Sequence, residues 1–219
     1  ATTVDVAGNA SAASPALAIT IDTTNPAAPG TADLDAGSDS GSSDTDDITS
    51  NTTPTISGTA EAGSTVSLSS DVSGALGTTT ADGTGDWSIT TSTLAEGAHA
   101  LTSTATDAAG NAGTASAALT ITVDTTVPVA PSAPDMADAS DSGSSSTDDI
   151  TSATTPTVAG TAEIGTTVTL TSDNGGDVGT AIADGAGDWT ITTSTLTEGV
   201  HNLTAIASDT AGNASTAST

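Results

Sequence analysis

Apolar and polar residues alternate in short runs along the whole chain, and Gly, Asp and Pro separate the runs. TVSLSS (65–70) and TVTLTS (167–172) put Val and Leu on one side and hydroxyl residues on the other. WSITT (87–91), HALTSTATD (99–107) and AALTITVD (117–124) share this period of two. Thr and Val at that period mark a strand with one buried face. Turn residues follow closely, in AEAGS, ADGTGD, AEGAH and DAAGN. No window carries a helical period. About seven short strands per 100 residues, with turns between, predicts an all-β fold of immunoglobulin-like β-sandwich type. The expected core is Ile56, Val66, Leu68, Trp87, Ile89, Leu94, Leu101, Ala105, Leu119 and Ile121.

The pattern repeats. DVAGNA (5–10) returns as DAAGNA (107–112) and DTAGNA (209–214), at a step of 102 residues. GTAEAGSTVSLSSD (58–71) faces GTAEIGTTVTLTSD (160–173), and SDSGSSDTDDITS (38–50) faces SDSGSSSTDDITS (140–152). This period is too long for a solenoid coil and suits a whole small domain. The expected organisation is the last strand of a preceding repeat (1–22), a complete repeat (23–124) and a second repeat without its final strand (125–219), set end to end in a rod. The N-terminus reads as a cut through a longer protein. Pro26, Pro29, Pro128 and Pro131 predict short, semi-stiff linkers over 21–41 and 123–143.

Charge narrows the possible functions. The 219 residues include 27 acidic and no basic side chains, for a net charge of −27. Nucleic acid binding needs Lys and Arg to displace counterions, so no nucleic-acid partner is expected. No apolar run approaches the roughly 18 residues of a membrane span, so no membrane insertion is expected. There is no cysteine for a disulfide or a thiolate site. A polyanion of this size repels itself, and its own side chains supply no counterion.

Calcium takes six to eight oxygen ligands from carboxylates, carbonyls and water on turns. The acidic residues cluster where such ligands are needed. Asp33, Asp39, Asp46 and Asp47 recur as Asp135, Asp141, Asp148 and Asp149; Asp35 and Asp138 trade places with Ala at the opposite repeat. A second candidate group joins Asp107, Asp124 and Glu163 at a junction between repeats, with Asp5, Asp22 and Glu61 at the preceding one, and Asp209 in the last DTAGN turn. All seventeen are candidate Ca²⁺ ligands by density and repetition; neither an EF-hand nor a calcium-binding nonapeptide pattern is present. Asp82, Asp86, Asp184 and Asp188 are expected to serve turn chemistry. Asp71 and Asp173 are open to either role. His99 and His201 are expected to be structural, and Trp87 and Trp189 to be core anchors. No nucleophile elbow, phosphate loop or triad signature appears, so no enzyme activity is expected.

The ordered series SDSGSS-TDDIT, TTPT--GTAE-G-TV-L, GDW-ITT--L-EG-H-LT, D-AGN and ITVDTT-P resembles the bacterial Ig-like repeats of large RTX-type surface adhesins. The resemblance covers essentially the whole chain. It implies extracellular, cell-surface extender repeats, stiffened by calcium, that hold a distal binding domain away from the cell in adhesion and biofilm formation. Two other functions stay open at this point. One is a self-assembling fibre, in which ALAITID (16–22) of one copy adds as a strand to another. The other is a carbohydrate- or surface-binding module. The partners expected in the leading case are neighbouring repeats of the same chain.

Overall fold

The computed structural model describes all 219 residues and contains fourteen strands and no helix. The first unit contains β1 (Asp33–Leu34), β2 (Ile48–Thr49), β3 (Thr55–Thr59), β4 (Thr65–Ser70), β5 (Gly74–Thr80), β6 (Asp86–Thr90), β7 (Gly97–Thr106) and β8 (Leu119–Val123). The second contains β9 (Asp135–Met136), β10 (Thr157–Thr161), β11 (Thr167–Ser172), β12 (Gly176–Ile182), β13 (Asp188–Thr192) and β14 (Leu203–Ser208).

One sheet of the first unit is ordered β1-β3-β6 and the other β2-β8-β7-β4-β5. The second unit repeats this as β9-β10-β13 and β12-β11-β14. The alternation read from sequence decides which face of each strand is covered. In β4, Val66 and Leu68 are buried while Ser67 and Ser69 turn outward. Ile56, Trp87 and Ile89 from one sheet meet Leu68, Leu101 and Ile121 from the other in one core. All ten expected core residues are buried. The Trp87 ring lies flat on Gly58, where a Cβ would stand 2.7 Å from Cζ2, and Trp189 lies on Gly160 in the same way. Gly at this strand position leaves room for the largest core side chain.

The Pro-rich segments are not linkers over their full expected length. Pro26, Pro29, Ala32 and Leu34 are buried, and Gly30 donates to the Thr59 carbonyl at 2.9 Å. The segment lies along β3 as an edge strand, where the N–H that proline lacks is not needed. Pro128 and Pro131 are buried in the second unit, and Ser132 donates to Thr161.

The structure also overturns the expected grouping of Asp107 with Asp124. β7 and β8 are antiparallel, with Gly97 opposite Val123 and Leu101 opposite Leu119. β8 therefore starts on the Asp107 side and ends where β7 begins. Ten residues of extended chain put Asp107 and Asp124 about 33 Å apart, at opposite poles.

Acidic loops and the joint between the units

Each repeat carries the acidic loop at its far pole, beside β2 or its equivalent. The loop is not a loose Ser/Gly tether. In the first unit, Thr49 Oγ1 donates to the Ser38 carbonyl at 2.5 Å. Ser38 Oγ accepts from Thr55 N–H, and Ser40 Oγ accepts from Ser50 N–H at 2.8 Å. In the second unit, Thr151, Ser140, Ser142 and Ser152 reproduce these bonds. These hydroxyls pin the backbone of the loop. Asp47 and Asp149 adopt left-handed φ angles of 60° and 56° at the same turn, a conformation uncommon outside Gly.

Asp39 and Asp141 sit inside these loops, each only 7 % exposed. Asp39 Oδ2 accepts from Asp47 N–H, and Asp141 Oδ2 accepts from the N–H groups of Asp148 and Asp149. Oδ1 of both residues is buried with no partner. An unpaired buried carboxylate oxygen is costly. Burial pushes the Asp39 carboxyl up from the usual range, and the nearby charges of Asp46 and Asp44 add to the shift. Asp47 is raised by burial and by the charges of Asp39, Asp33 and Asp46. The first loop thus gathers Asp33, Asp39, Asp44, Asp46 and Asp47 into one field. No three of the chain's His, Asp and Glu side chains by themselves form a metal-holding group. Oxygen donors other than carboxylates, such as Ser40 and the loop carbonyls, lie in the same segment.

The D-AGN turns are built differently. Asp107 Oδ1 accepts from the N–H groups of Ala109 and Asn111, and Oδ2 from the Asn111 side chain at 2.8 Å. Asp5 has the same three donors from Ala7 and Asn9, and Asp209 takes the backbone and side chain of Asn213. The Asn side-chain bonds hold the Asp5 and Asp107 carboxyls below the ordinary range.

These turns reach across to the start of their own repeat. Asn111 donates its amide to the Asp22 carbonyl at 3.2 Å, and Asn213 donates to the Asp124 carbonyl at 2.8 Å. The residues that meet at the joint between units are therefore Asp124, Asp209 and Asn213, and not Asp107. Glu163 approaches the joint from the second unit, accepting from Val129 N–H at 3.3 Å. Glu96 holds the chain just after Asp124: it accepts from the hydroxyls of Thr125 and Thr126, which lower its pKa.

The acidic loop of the first unit closes this joint. Ser40 Oγ donates to the Ala211 carbonyl at 2.6 Å. Gly41, at φ +106°, leaves so little room that a Cβ would fall 1.9 Å from the Thr210 carbonyl oxygen. Ala211 is fully buried, whereas Ala109, its equivalent in the first unit, is exposed. Ser40, Gly41 and Glu96 were not singled out from sequence; the unbroken SDSG and EG-H repetition was the available signal, and Asn213 lies in the repeated D-AGN motif.

The other candidates are dispersed. Asp35 accepts from Ser57 Oγ at 2.6 Å, and Asp22 from Thr24 N–H. Glu61, Asp135 and Asp138 are exposed. Asp82 and Asp184 close the turns expected of them, accepting from Asp86 and Asp188 N–H. Asp71 and Asp173 accept from Ala100 and Asn202 N–H. Both rings of the histidines are bonded: His99 to Ser70 and Ala95, His201 to Ser172 and Thr197.

The profile of a family described as bacterial Ig-like domain matches residues 26–125 and again 126–219. None of the curated proteins matches the chain. Among solved structures, it is similar to the BSP domain of a biofilm associated protein, with 21% identity over 89% of this chain and 28% of that one, at a TM-score of 0.31. It is similar to a tetra-tandem repeat in the extending region of a large adhesion protein, with 21% identity over 99% of this chain and 54% of that one, at a TM-score of 0.33. It is also similar to the fibronectin(III)-like modules of Clostridium thermocellum CbhA, with 18% identity over 85% and 90% of the two chains, at a TM-score of 0.48. The chain thus spans 28% and 54% of the first two structures it resembles.

Proposed function

The chain belongs to the bacterial Ig-like domain family, a family of structural modules and not enzymes, and on that footing we propose that it is a pair of spacer repeats from an extracellular bacterial adhesin, held in a fixed relative orientation by divalent cations. The observation that carries this reading is the buried, unpartnered Oδ1 of Asp39, repeated at Asp141. A carboxylate oxygen shut away from water among other acids needs a proton or a cation. Calcium supplies the second and accepts the carbonyl and hydroxyl oxygens available in the loop.

Asp39 and Asp141, each with hydroxyl and carbonyl oxygens of its own loop, would hold the ion, and Asp46, Asp47, Asp148 and Asp149 would add negative charge nearby. Bound there, it would neutralise the loop and fix the backbone that carries Ser40 and Gly41. Those two residues touch Thr210 and Ala211 of the next unit, so ordering the loop orders the joint. Cell-surface location and projection of a distal binding domain follow from the adhesin reading.

Small-angle scattering with and without a chelator, with calcium content measured on the same samples, tests the proposal. We expect bound calcium and a smaller spread of inter-unit distances in the metal-loaded chain. Absence of bound calcium at millimolar supply, or identical scattering in chelator, would refute it.

A further inference from the structure

The chain crosses from the first unit to the second over residues 124–129, and both units hold it there. Asp124 is bonded on both sides. Its N–H donates to the Thr49 carbonyl of the first unit at 2.9 Å, and its carbonyl accepts from the Asn213 amide of the second at 2.8 Å. Glu96 of the first unit takes the next two residues. Its Oε2 accepts from the N–H and the hydroxyl of Thr125, and its Oε1 accepts from the hydroxyl of Thr126 at 2.6 Å. Thr126 N–H closes onto Asp124 Oδ1 at 2.9 Å. Val129 N–H donates to Glu163 of the second unit at 3.3 Å. Pro128, between them, is buried and has no N–H to satisfy. Val127 alone keeps a free N–H, and the proline that follows restricts its backbone, so it is not a swivel.

Glu96 stands on a fixed base. It follows Ala95, whose carbonyl accepts from His99 Nε2 at 2.8 Å. A carbonyl can only accept, so this nitrogen carries a proton, and in the neutral ring Nδ1 accepts from Ser70 Oγ at 2.9 Å. The ring is 1% exposed. A buried side chain bonded at both nitrogens thus fixes the backbone from which the exposed Glu96 carboxylate reaches Thr125 and Thr126.

We propose that Glu96 is a positioning residue of the joint: it clamps Thr125 and Thr126 and sets the direction in which the chain enters the second unit, without a metal ion. The clamp and the contact of Ser40 with Ala211 are separate restraints carried by different loops of the first unit. Calcium in the acidic loop would act through Ser40 and Gly41, whereas Glu96 acts on the connecting residues themselves. One exposed hydrogen bond restrains little. Three bonds to a single carboxylate, with a proline ring two residues further on, leave the connection few free torsions.

The chain has no cysteine, so Thr78→Cys and Thr180→Cys, both at exposed positions, place one spin label on each unit. The distance distribution between the labels is measured in calcium and in chelator, together with bound calcium. It is compared among the parent, Glu96→Ala, Glu96→Gln and the pair Thr125→Val with Thr126→Val. All three sites are exposed, so the melting temperatures of the units are retained. We expect Glu96→Ala to broaden the distribution in calcium and in chelator alike, with bound calcium unchanged. The paired Val variant should broaden it as much, and combining the two should add nothing. Glu96→Gln should restore part of the narrow distribution, because its amide oxygen still accepts. A distribution that Glu96→Ala leaves unchanged overturns the proposal, whatever chelator does. Broadening confined to calcium, with loss of bound calcium, also overturns it, because Glu96 would then act through the ion. Broadening by Glu96→Ala where chelator has no effect supports the clamp and refutes the calcium reading.

Discussion

The side-chain amide of Asn213 donates to the Asp124 carbonyl at 2.8 Å, across 89 residues of sequence. The same side chain donates to Asp209 Oδ2 at 2.9 Å. One amide thus ties the last acidic turn of the second unit to the point where the chain leaves the first. Asn111 makes the equivalent bond to Asp22. The D-AGN turn therefore anchors the start of its own repeat.

Gly41→Ala is expected to open the joint without unfolding either unit. The new methyl would overlap the Thr210 carbonyl oxygen, and the φ of +106° is itself strained for a side chain. Ser40→Ala removes the hydrogen bond to the Ala211 carbonyl along with the Ser50 N–H bond inside the loop, and the first of these losses should weaken docking by about 1 kcal/mol. Scattering should show broader inter-unit distances in Gly41→Ala than in Ser40→Ala, with both melting temperatures near those of the parent. An unchanged distance distribution in Gly41→Ala would show that this contact does not hold the units.

Asp39→Asn should act in opposite directions with and without metal. It removes a buried charge, so the metal-free chain gains up to about 1 kcal/mol, or a rise of roughly 4–8 °C in the first unit's melting temperature. It also removes a hard oxygen ligand, so calcium affinity falls. Calorimetry in chelator and calcium titration read the two effects separately. Destabilisation in chelator would contradict the picture of an uncompensated carboxylate.

The pH dependence in chelator follows from shifts of opposite sign. The Asp39 and Asp47 carboxyls are raised by burial. Relative to the ionised form, their stability contribution is full below the unfolded value near 4 and is lost as pH rises through the folded value. Asp107 is lowered by Asn111, so its contribution is present above that unfolded value and lost as pH falls through the folded one. The metal-free first unit should therefore be most stable near the ordinary carboxylate value of about 4, losing stability on both sides of it. Thermal melts across pH should show this maximum, and Asp39→Asn should flatten its neutral side. A steady rise in stability towards neutral pH would be the contrary result.

Equivalent core leucines should differ in worth. Leu101 is fully buried between β4 and β8, and Leu101→Ala should cost about 2–5 kcal/mol. Leu203 is half-buried, so Leu203→Ala should cost clearly less. Denaturant unfolding of each variant measures the difference. Hydrogen exchange should likewise be faster at 199–202 than at 97–101, which is bonded to β8. Equal exchange in the two segments would mean that β8 contributes little protection.

Much of the fold was legible because alternation is a local property. TVSLSS is β4 residue for residue, and the expected core is buried at all ten positions. β5, GALGTTT, gave little signal because glycines interrupt its pattern. Gly77 is there for packing: a Cβ would lie 2.8 Å from Ile89 Cγ2. The proline segments were misread as linkers because an edge strand and a stiff connector share the same local geometry.

The sequence alone determined the strands, their buried faces, the period of 102 residues and the concentration of acid in repeated turns. Each rests on neighbours a few residues apart or on exact recurrence. Tertiary structure decided which acids meet. The antiparallel return of β8 separated Asp107 from Asp124 and brought Asp209 and Asn213 to the joint, and the closing of the loop left Asp39 Oδ1 without a partner. Strand direction and loop closure depend on pairing between distant segments, which no local pattern specifies.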